Sequence, residues 1–129
     1  MIAIDTNVLA RLIVGDDPEQ GRRAAALFRR EDIFIAKTVL LELEWVLRGA
    51  YRIERPRILK ALLGVLGLPN VSAEDSGRVA AALRDYEAGM DFADALHLAS
   101  SIEASRFVTF DDKLRKRAKA LNGIETGSP

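Results

Sequence analysis

The sequence predicts an α/β fold: a single domain over residues 1–129, with a central, mostly parallel sheet flanked by helices. Short apolar segments alternate along the chain with amphipathic stretches, which is typical of strands followed by crossover helices. Two of the apolar segments, 2–4 and 107–110, run directly into aspartates. Because ligands of open α/β sheets bind at the carboxyl ends of strands, these acids mark a candidate site.

The first two strands and the helix pair between them follow from the hydrophobic pattern. Residues 2–4 predict a strand, and 6–14 predict a helix whose apolar residues recur at helical spacing. The segment 15–18 breaks this helix, and a second one is expected to run to about Arg30. The continuous apolar run 33–35 indicates a strand that is buried on both faces.

The middle of the chain is rich in predicted helices. Thr38 opens a long apolar helix that extends to about Tyr51, and Pro56 fits the first turn of a fourth helix that ends near Gly67. Residues 70–72 predict a short strand.

Helices and strands continue to alternate in the second half of the sequence. The expected elements are a helix over 74–88, a helix over 91–104, a strand over 107–110, a basic helix over 112–121 and a last strand at Ile124. A short C-terminal tail is expected from about residue 125. This alternation favours a parallel sheet with right-handed crossovers.

Composition narrows the class of protein. The chain has no Cys, which removes disulfides, thiolate zinc sites and Cys nucleophiles. No apolar run approaches the roughly 18 residues that span a bilayer, and Asp5 and Arg11 interrupt any signal-peptide core. We therefore expect a cytoplasmic protein without a membrane partner.

Glu42 is predicted to be buried and to need a partner that its own helix does not offer. On a helix it shares a face with Trp45 and Val46, and an unpaired buried carboxylate costs several kcal/mol or shifts its pKa upward. Its neighbour Glu44 can instead pair with Arg48, four residues later on the same helix face.

The other candidate acids also have a structural interpretation. Asp91 as N-cap and Asp94 in the first turn both suit the start of a helix. Either Asp111 or Asp112 can cap the basic helix that follows them. These capping roles and a shared ligand site remain alternatives at this point.

Convergence of the four acids favours the ligand site. Asp5 and Asp111 end strands, Asp94 begins a helix, and Glu42 lies early in the helix after the second strand, so all four can face one edge of a parallel sheet. Carboxylates within about 4 Å repel by on the order of 4 kcal/mol per pair at an effective dielectric of 20. An all-oxygen site favours Mg²⁺ or Mn²⁺, and the matching chemistry is metal-assisted hydrolysis of a phosphodiester.

Four motifs in this order resemble those of a known family. The motifs are Asp5-Thr6-Asn7-Val8-Leu9, Leu41-Glu42-Leu43, Asp91-Phe-Ala-Asp94-Ala-Leu and Thr109-Phe-Asp111. Together they resemble the acidic motifs of PIN-domain ribonucleases, in order and in approximate spacing. The short chain is similar in length to the VapC-type toxins of type II toxin–antitoxin pairs.

The resemblance implies a Mg²⁺-dependent endoribonuclease in which Asp5, Glu42, Asp94 and Asp111 form the acidic pocket. Asp5 and Asp94 would be the direct Mg²⁺ ligands, with Mn²⁺ as a substitute. Supporting roles would fall to Thr6 and Asn7, which orient the pocket, and to Asp112, which shares or replaces the role of Asp111. The implied partners are an RNA substrate (tRNA or rRNA), a VapB-like antitoxin and a second copy in a homodimer.

Several other residues receive plainer interpretations. His97, three residues after Asp94, is expected to be an ordinary helix residue rather than a base. Trp45, Phe92 and Phe110 are expected in the core, because the chain has few aromatic residues to fill it.

Positive charge for nucleic-acid binding must be local, since the chain has a formal net charge of zero. Arg11, Lys37 and the basic helix after Asp112 are the candidate phosphate contacts.

Two other functions remain open: a PIN-like nuclease in RNA or DNA processing without an antitoxin, and a non-catalytic Mg²⁺-binding module of receiver type. A receiver would need a Lys at the end of a late strand, which Lys113 supplies only loosely.

Overall fold

The computed structural model of the chain describes residues 1–121 and 123–129. Over these residues it has seven helices and short strands that pair only in parallel, so the α/β prediction is confirmed. Contacts along the chain define two compact units, Met1–Ser76 and Gly77–Pro129. Within the described ranges, no helix is long and apolar enough to cross a membrane.

The first unit holds a three-stranded sheet and four helices. Its elements are β1 (Ile2–Ala3), α1 (Thr6–Val14), α2 (Pro18–Arg30), β2 (Ile33–Ile35), α3 (Lys37–Gly49), α4 (Arg55–Leu66) and β3 (Val71–Ala73). Strand β2 is central, and its Ile33 lies opposite Ile2 of β1 and Val71 of β3. Helix α1 packs against both α2 and α3, and only Ile4 and Asp5 separate its first residue from the end of β1.

Local sequence signals set the helix boundaries in this unit. Gly15 ends α1 with a left-handed φ of 72°, a conformation that glycine adopts without a steric penalty. Asp17 then caps α2, and Pro18 occupies its first turn.

The predicted strand at 33–35 is confirmed. Ile33 and Ile35, which share one face, are fully buried, whereas Phe34 on the other face is half-buried, so the predicted burial on both faces is complete on one face only.

Helix α3 buries a different face from the one predicted. Its buried residues are Leu40, Leu43, Glu44 and Leu47, which recur at the spacing of a single helix stripe. The prediction of a buried Glu42 was therefore wrong: Glu42 is exposed and lies on the far side of the helix from this stripe.

Trp45 is also outside the core, with 65% of its surface exposed, so its predicted core position was wrong. Glu44, 2% exposed, is the buried acid of α3. It accepts hydrogen bonds from Arg48 at 2.9 and 3.3 Å, which confirms the predicted pair. The apolar residues of α3 occur on several sides of the helix, and the stripe centred on leucine is the one that packs.

The second unit contains three helices and a two-stranded parallel sheet. Its elements are α5 (Ser76–Glu87), α6 (Phe92–Ser100), β4 (Phe107–Val108), α7 (Asp112–Ala120) and β5 (Thr126–Gly127). Phe107 pairs with Thr126, and Val108 with Gly127. The strand predicted at Ile124 is thus found two residues later, and Ile124 itself is a buried side chain.

The core of the second unit includes an aromatic pair. The rings of Tyr86 and Phe92 meet edge to face, with centroids 5.4 Å apart and planes at 74°, a favoured geometry for aromatic contacts. Phe92 is fully buried, as predicted. The same prediction for Phe110 was wrong, because 85% of its surface is exposed.

Candidate functional site

Asp5 lies at the junction of β1 and α1, as the sequence predicts. Its backbone is extended, with φ −85° and ψ 163°, and its carboxylate accepts a hydrogen bond from the backbone N–H of Thr6 at 2.7 Å. Ile4, the residue before it, is buried, whereas Asp5 is exposed. The strand therefore anchors the backbone while the carboxylate is left open to a ligand from solvent.

Thr6 carries a buried hydroxyl that has no hydrogen-bond partner among the described residues. Only 3% of the residue is exposed, and its Oγ1 has no hydrogen bond to any atom of the residues that the structure describes. Leaving such a group unsatisfied costs about 1–3 kcal/mol, and buried polar groups of this kind are usually satisfied by water or a ligand. The hydroxyl next in sequence to Asp5 is therefore available to a bound water or ligand.

Asn7 is exposed on α1 and lines a cavity of about 470 Å³ between α1 and α2. Arg11, Arg23 and Arg30 line the same cavity. Arg11 is already engaged, because its guanidinium donates to Tyr51 at 2.9 Å and forms an ion pair 3.2 Å from a carboxylate oxygen of Asp16.

These two interactions, the hydrogen bond first, raise the pKa of Arg11 above its ordinary value. Arg11 therefore ties α1 to the loop that follows it and to the end of α3. Lys37, the other basic residue singled out in the first unit, lies 2.8 Å from a carboxylate oxygen of Asp75. Both candidate phosphate contacts of this unit are thus already bonded within the protein.

Glu42 belongs to the same unit as Asp5 and stands on α3, which packs against α1. Its exposure removes the burial argument that first drew attention to it. An exposed carboxylate is nevertheless free to bind a cation or a water, whereas the buried Glu44 is held by Arg48.

Asp91 and Asp94 lie at the N-terminal end of helix α6, where Asp91 is the N-cap. The carboxylate of Asp91 accepts a hydrogen bond from the backbone N–H of Asp94 at 3.2 Å, which confirms the predicted N-cap. Asp94 lies in the first turn and is half-buried. Negative charge at this end of a helix is stabilised by the helix dipole.

The surroundings of Asp94 disfavour its ionised form. Burial is the main cause that raises the pKa of Asp94, and the neighbouring carboxylates of Asp91 and Asp111 raise it further. His97 acts in the opposite direction, while its side chain is exposed. The structure therefore brings Asp94 and Asp111 close enough to repel each other, which is the condition that a bound cation would relieve.

Asp111 and Asp112 have separate roles at the start of α7. Asp111 is the N-cap: its carboxylate accepts hydrogen bonds from the backbone N–H groups of Lys113 at 2.9 Å and Leu114 at 3.1 Å. Asp112 forms an ion pair with Arg115 one turn later. Of the two, Asp111 is the acid that interacts with Asp94.

Among the residues that the structure describes, no group of three or more His, Asp or Glu side chains is arranged to hold a metal ion. The candidate oxygen groups are therefore separate: the carboxylate of Asp5 beside the Thr6 hydroxyl, which has no partner among the described residues, lies in the first unit, and the interacting carboxylates of Asp94 and Asp111 lie in the second. These groups supply oxygen atoms only, which is what Mg²⁺ and Mn²⁺ prefer.

Sequence reasoning missed one exposed feature, the ring of Phe110. The sequence predicts a core position for this ring only because the chain has few aromatic residues. The signal that could have found it is its position directly before the helix-capping Asp111, in a turn where a side chain has little protein around it.

Comparison with known proteins supports the fold. A search of curated protein sequences finds no match to the chain. The family model of the PIN domain matches residues 2–120, and this match includes all four candidate acids. PIN domains are generally metal-dependent nucleases, and this chain belongs to the PIN-domain family.

Proposed function

We propose that this PIN domain is a Mg²⁺-dependent endoribonuclease that hydrolyses RNA phosphodiester bonds with Asp5, Glu42, Asp94 and Asp111. The observation that carries the proposal is the PIN-domain match, whose range spans all four acids, and it is supported by the position of Asp94, half-buried at the start of α6 beside the carboxylate of Asp91. The pKa of Asp94 is raised by burial and by the carboxylates of Asp91 and Asp111. A half-buried acid held against like charges is unfavourable for stability, and such sites are enriched in functional groups.

Asp5 and Asp94 would hold the metal ion, and Mn²⁺ would substitute for Mg²⁺. When bound, the ion polarises a phosphoryl oxygen and lowers the pKa of water. Mg²⁺ keeps several water ligands, and the hydroxyl of Thr6, which has no partner among the described residues, would hydrogen-bond to one of them.

The remaining acids would act on water and on charge balance. Glu42, exposed on α3, would accept a proton from the attacking water. Asp111 would add negative charge beside Asp94 while it caps α7. Asn7 would support the site by hydrogen bonding. Asp112 would support it through its ion pair with Arg115.

We further propose that the chain is the toxin of a VapBC-like type II pair and acts in the cytoplasm on tRNA or rRNA. This part rests on the resemblance of its motifs and length to VapC-type toxins. The partners would be a VapB-like antitoxin and a second copy of the chain. A short reading frame next to this gene that encodes a DNA-binding protein able to inhibit cleavage would support it, and a monomeric mass in solution would contradict the dimer.

The decisive experiment is cleavage of end-labelled tRNA and rRNA by the purified chain with Mg²⁺, with Mn²⁺ and with EDTA. The test variant is Asp94→Asn, and the matched control is Asp85→Asn. Asp85 is another half-buried acid of the second unit whose pKa is raised by burial, but it lies outside the proposed site.

We expect discrete products that require metal, a loss of at least about 100-fold in rate for Asp94→Asn, and normal cleavage by Asp85→Asn. Full activity of Asp94→Asn would reject the site. Cleavage of single-stranded DNA in place of RNA would instead identify a nuclease of DNA processing.

A further inference from the structure

Phe110 is an exposed aromatic residue directly beside a proposed catalytic acid. It lies between β4 and α7, with 85% of its surface exposed, and Val108, two residues before it, is 45% exposed. Asp111 follows Phe110 immediately. A molecule that contacts this ring therefore reaches the chain segment that carries Asp111.

The backbone around Phe110 is held in place by three hydrogen bonds. The N–H of Thr109 donates to the carbonyl of Gly127 at 2.9 Å, and the carbonyl of Thr109 accepts from Arg115 at 2.6 Å. The N–H of Asp111 donates to the hydroxyl of Thr109 at 3.1 Å. The ring is thus presented on a fixed turn, so little ordering of the backbone is required when a ligand binds.

Helix α7 places a strip of positive charge next to this turn. We call Lys113, Lys116 and Lys119 the lysine face, because they recur every three residues and lie opposite the buried Leu114 and Ala118. All three lysines are exposed. In the part of the chain that the structure describes, none of them forms a salt bridge, whereas Asp112 in the first turn of the helix pairs with Arg115.

We propose that Phe110 stacks on an unpaired base of the RNA and that the lysine face binds the phosphates of the same strand. This inference deepens the proposed function and rests on it, since the stacked nucleotide would lie next to Asp111. An aromatic platform combined with a positively charged track is the common means of binding single-stranded nucleic acid. The base would have to be unpaired, because a base inside a helix has no free face for the ring.

The chemistry of the surface favours RNA over a protein partner. A stable protein interface buries at least about 1,000 Å² and has an apolar centre, whereas the exposed apolar residues of this turn are Phe110 and Val108, followed in sequence by Asp111, Asp112 and the lysine face. The chain has a formal net charge of zero, so this concentration of positive charge is local and complementary to a phosphate backbone.

The first test measures binding, without cleavage, in EDTA. The probes are an unpaired RNA oligonucleotide and the same sequence in a blunt duplex, both read by fluorescence anisotropy. The variants are Phe110→Ala, Phe110→Leu and Phe110→Trp. Ile102→Ala is the matched control, because Ile102 is a 50% exposed apolar residue of the same unit.

We expect Phe110→Ala to weaken binding of the unpaired RNA about 5- to 150-fold, the loss that corresponds to one stacked base. Phe110→Leu should show the same loss, since it keeps apolar bulk but has no ring, and Phe110→Trp should restore affinity. Ile102→Ala should bind the unpaired RNA as tightly as the native chain does. Affinity for the duplex probe should be the same for the native chain and for the Phe110 variants. An aminopurine base placed at successive positions should be quenched at one position by the native chain and not by Phe110→Ala.

The second test addresses the lysine face through salt dependence. Each phosphate contact to a single strand contributes about 0.7 to the slope of log affinity against log salt concentration. Changing Lys113, Lys116 and Lys119 together to Gln should therefore reduce the magnitude of the slope by about 2. An unchanged slope would remove the lysine face from the proposal.

Cleavage assays separate this inference from the proposed function. With Mg²⁺ we expect Phe110→Ala to raise KM and to leave the metal dependence unchanged. Native affinity of Phe110→Ala for unpaired RNA would overturn the inference, even if the chain cleaves RNA. Phe110-dependent binding without metal-dependent cleavage would support the inference and reject the nuclease. A change in oligomeric state in Phe110→Ala would assign the ring to an interface between copies and would also overturn it.

Discussion

The carboxylate of Asp91 accepts a hydrogen bond from the backbone N–H of Asp94, 3.2 Å away. The same bond that caps helix α6 also fixes a second negative charge beside Asp94, where Asp91 helps to raise its pKa. Stability of the helix start and the charge state of the candidate site are therefore linked through one residue.

Substitutions at Asp91 should separate these two effects. Asp91→Asn keeps a good N-cap acceptor but removes the charge, so the pKa of Asp94 should fall toward its ordinary value with little change in stability. Asp91→Ala should lower this pKa in the same direction and also reduce the free energy of unfolding by about 1 kcal/mol. Carboxyl NMR titration and urea unfolding measure the two quantities, and an unchanged pKa of Asp94 in both variants would reject the link.

Replacement of Thr6 should stabilise the metal-free protein. Thr6→Val keeps the shape of the side chain and removes a buried hydroxyl that has no partner among the described residues, so the free energy of unfolding should rise by up to about 1 kcal/mol. Thermal unfolding in EDTA measures this change.

The same variant should bind metal less well. Because the proposed role of Thr6 is to hold a metal-bound water, Thr6→Val should show a smaller increase in Tm on addition of Mg²⁺ than the native chain. Thr6→Ser, which retains the hydroxyl, is the control. A Thr6→Val protein that is less stable than the native chain in EDTA would mean that the hydroxyl has a partner in the folded protein.

Loss of the buried ion pair in α3 should destabilise the fold more than loss of an exposed one. Arg48→Met removes the guanidinium from Glu44, whose side chain is 3% exposed, and should reduce the free energy of unfolding by about 1.5–3 kcal/mol. The control is Arg78→Met, which breaks the pair with the largely exposed Glu103 and should have an effect below about 1 kcal/mol. Urea unfolding measures both changes, and an equal loss in the free energy of unfolding for the two variants would contradict the prediction.

Local signals explain what could be predicted from the sequence. Capping acids, Pro18 and Gly15 act on neighbouring residues, so the boundaries of α1 and α2 follow from the sequence alone. The strand–acid–helix junction at Asp5 is local for the same reason.

The orientation of α3 could not be predicted with the same rules. Apolar residues occur on both the Leu43 side and the Trp45 side of this helix, so two overlapping stripes satisfy helical periodicity. Which stripe is buried depends on the shape of the surface that the helix meets, and this is a tertiary property. As a result Glu42, which was predicted to be buried, is exposed, and Glu44 is the buried acid of the helix.

Short strands and the site itself also depend on tertiary structure. The strand at Thr126 is two residues long and is defined by its register with β4 rather than by an apolar run. Likewise, the sequence indicates that Asp94 and Asp111 can approach each other, but the repulsion between them appears only once α6 and α7 are positioned.

Ionisation of Asp85 should lower the free energy of unfolding, whereas ionisation of a salt-bridged acid raises it. Burial raises the pKa of Asp85, and Arg84 only partly offsets this effect. Because the folded state then binds a proton more readily than the unfolded state, the ionised carboxylate destabilises the fold at neutral pH. The residue also lies in the last turn of α5, where the helix dipole disfavours negative charge.

Asp85→Asn should therefore stabilise the protein at pH 7, by less than about 1 kcal/mol because solvent screens a half-exposed group. The gain should decrease as the pH falls through the raised folded pKa, and should vanish below the unfolded value of about 3.9. Glu87→Gln, which removes an exposed charge from the same helix end, controls for the dipole and should have a smaller effect. Urea unfolding at several pH values tests this, and a stabilisation by Asp85→Asn that grows as the pH falls would show that the carboxylate is stabilised, rather than disfavoured, in the folded protein.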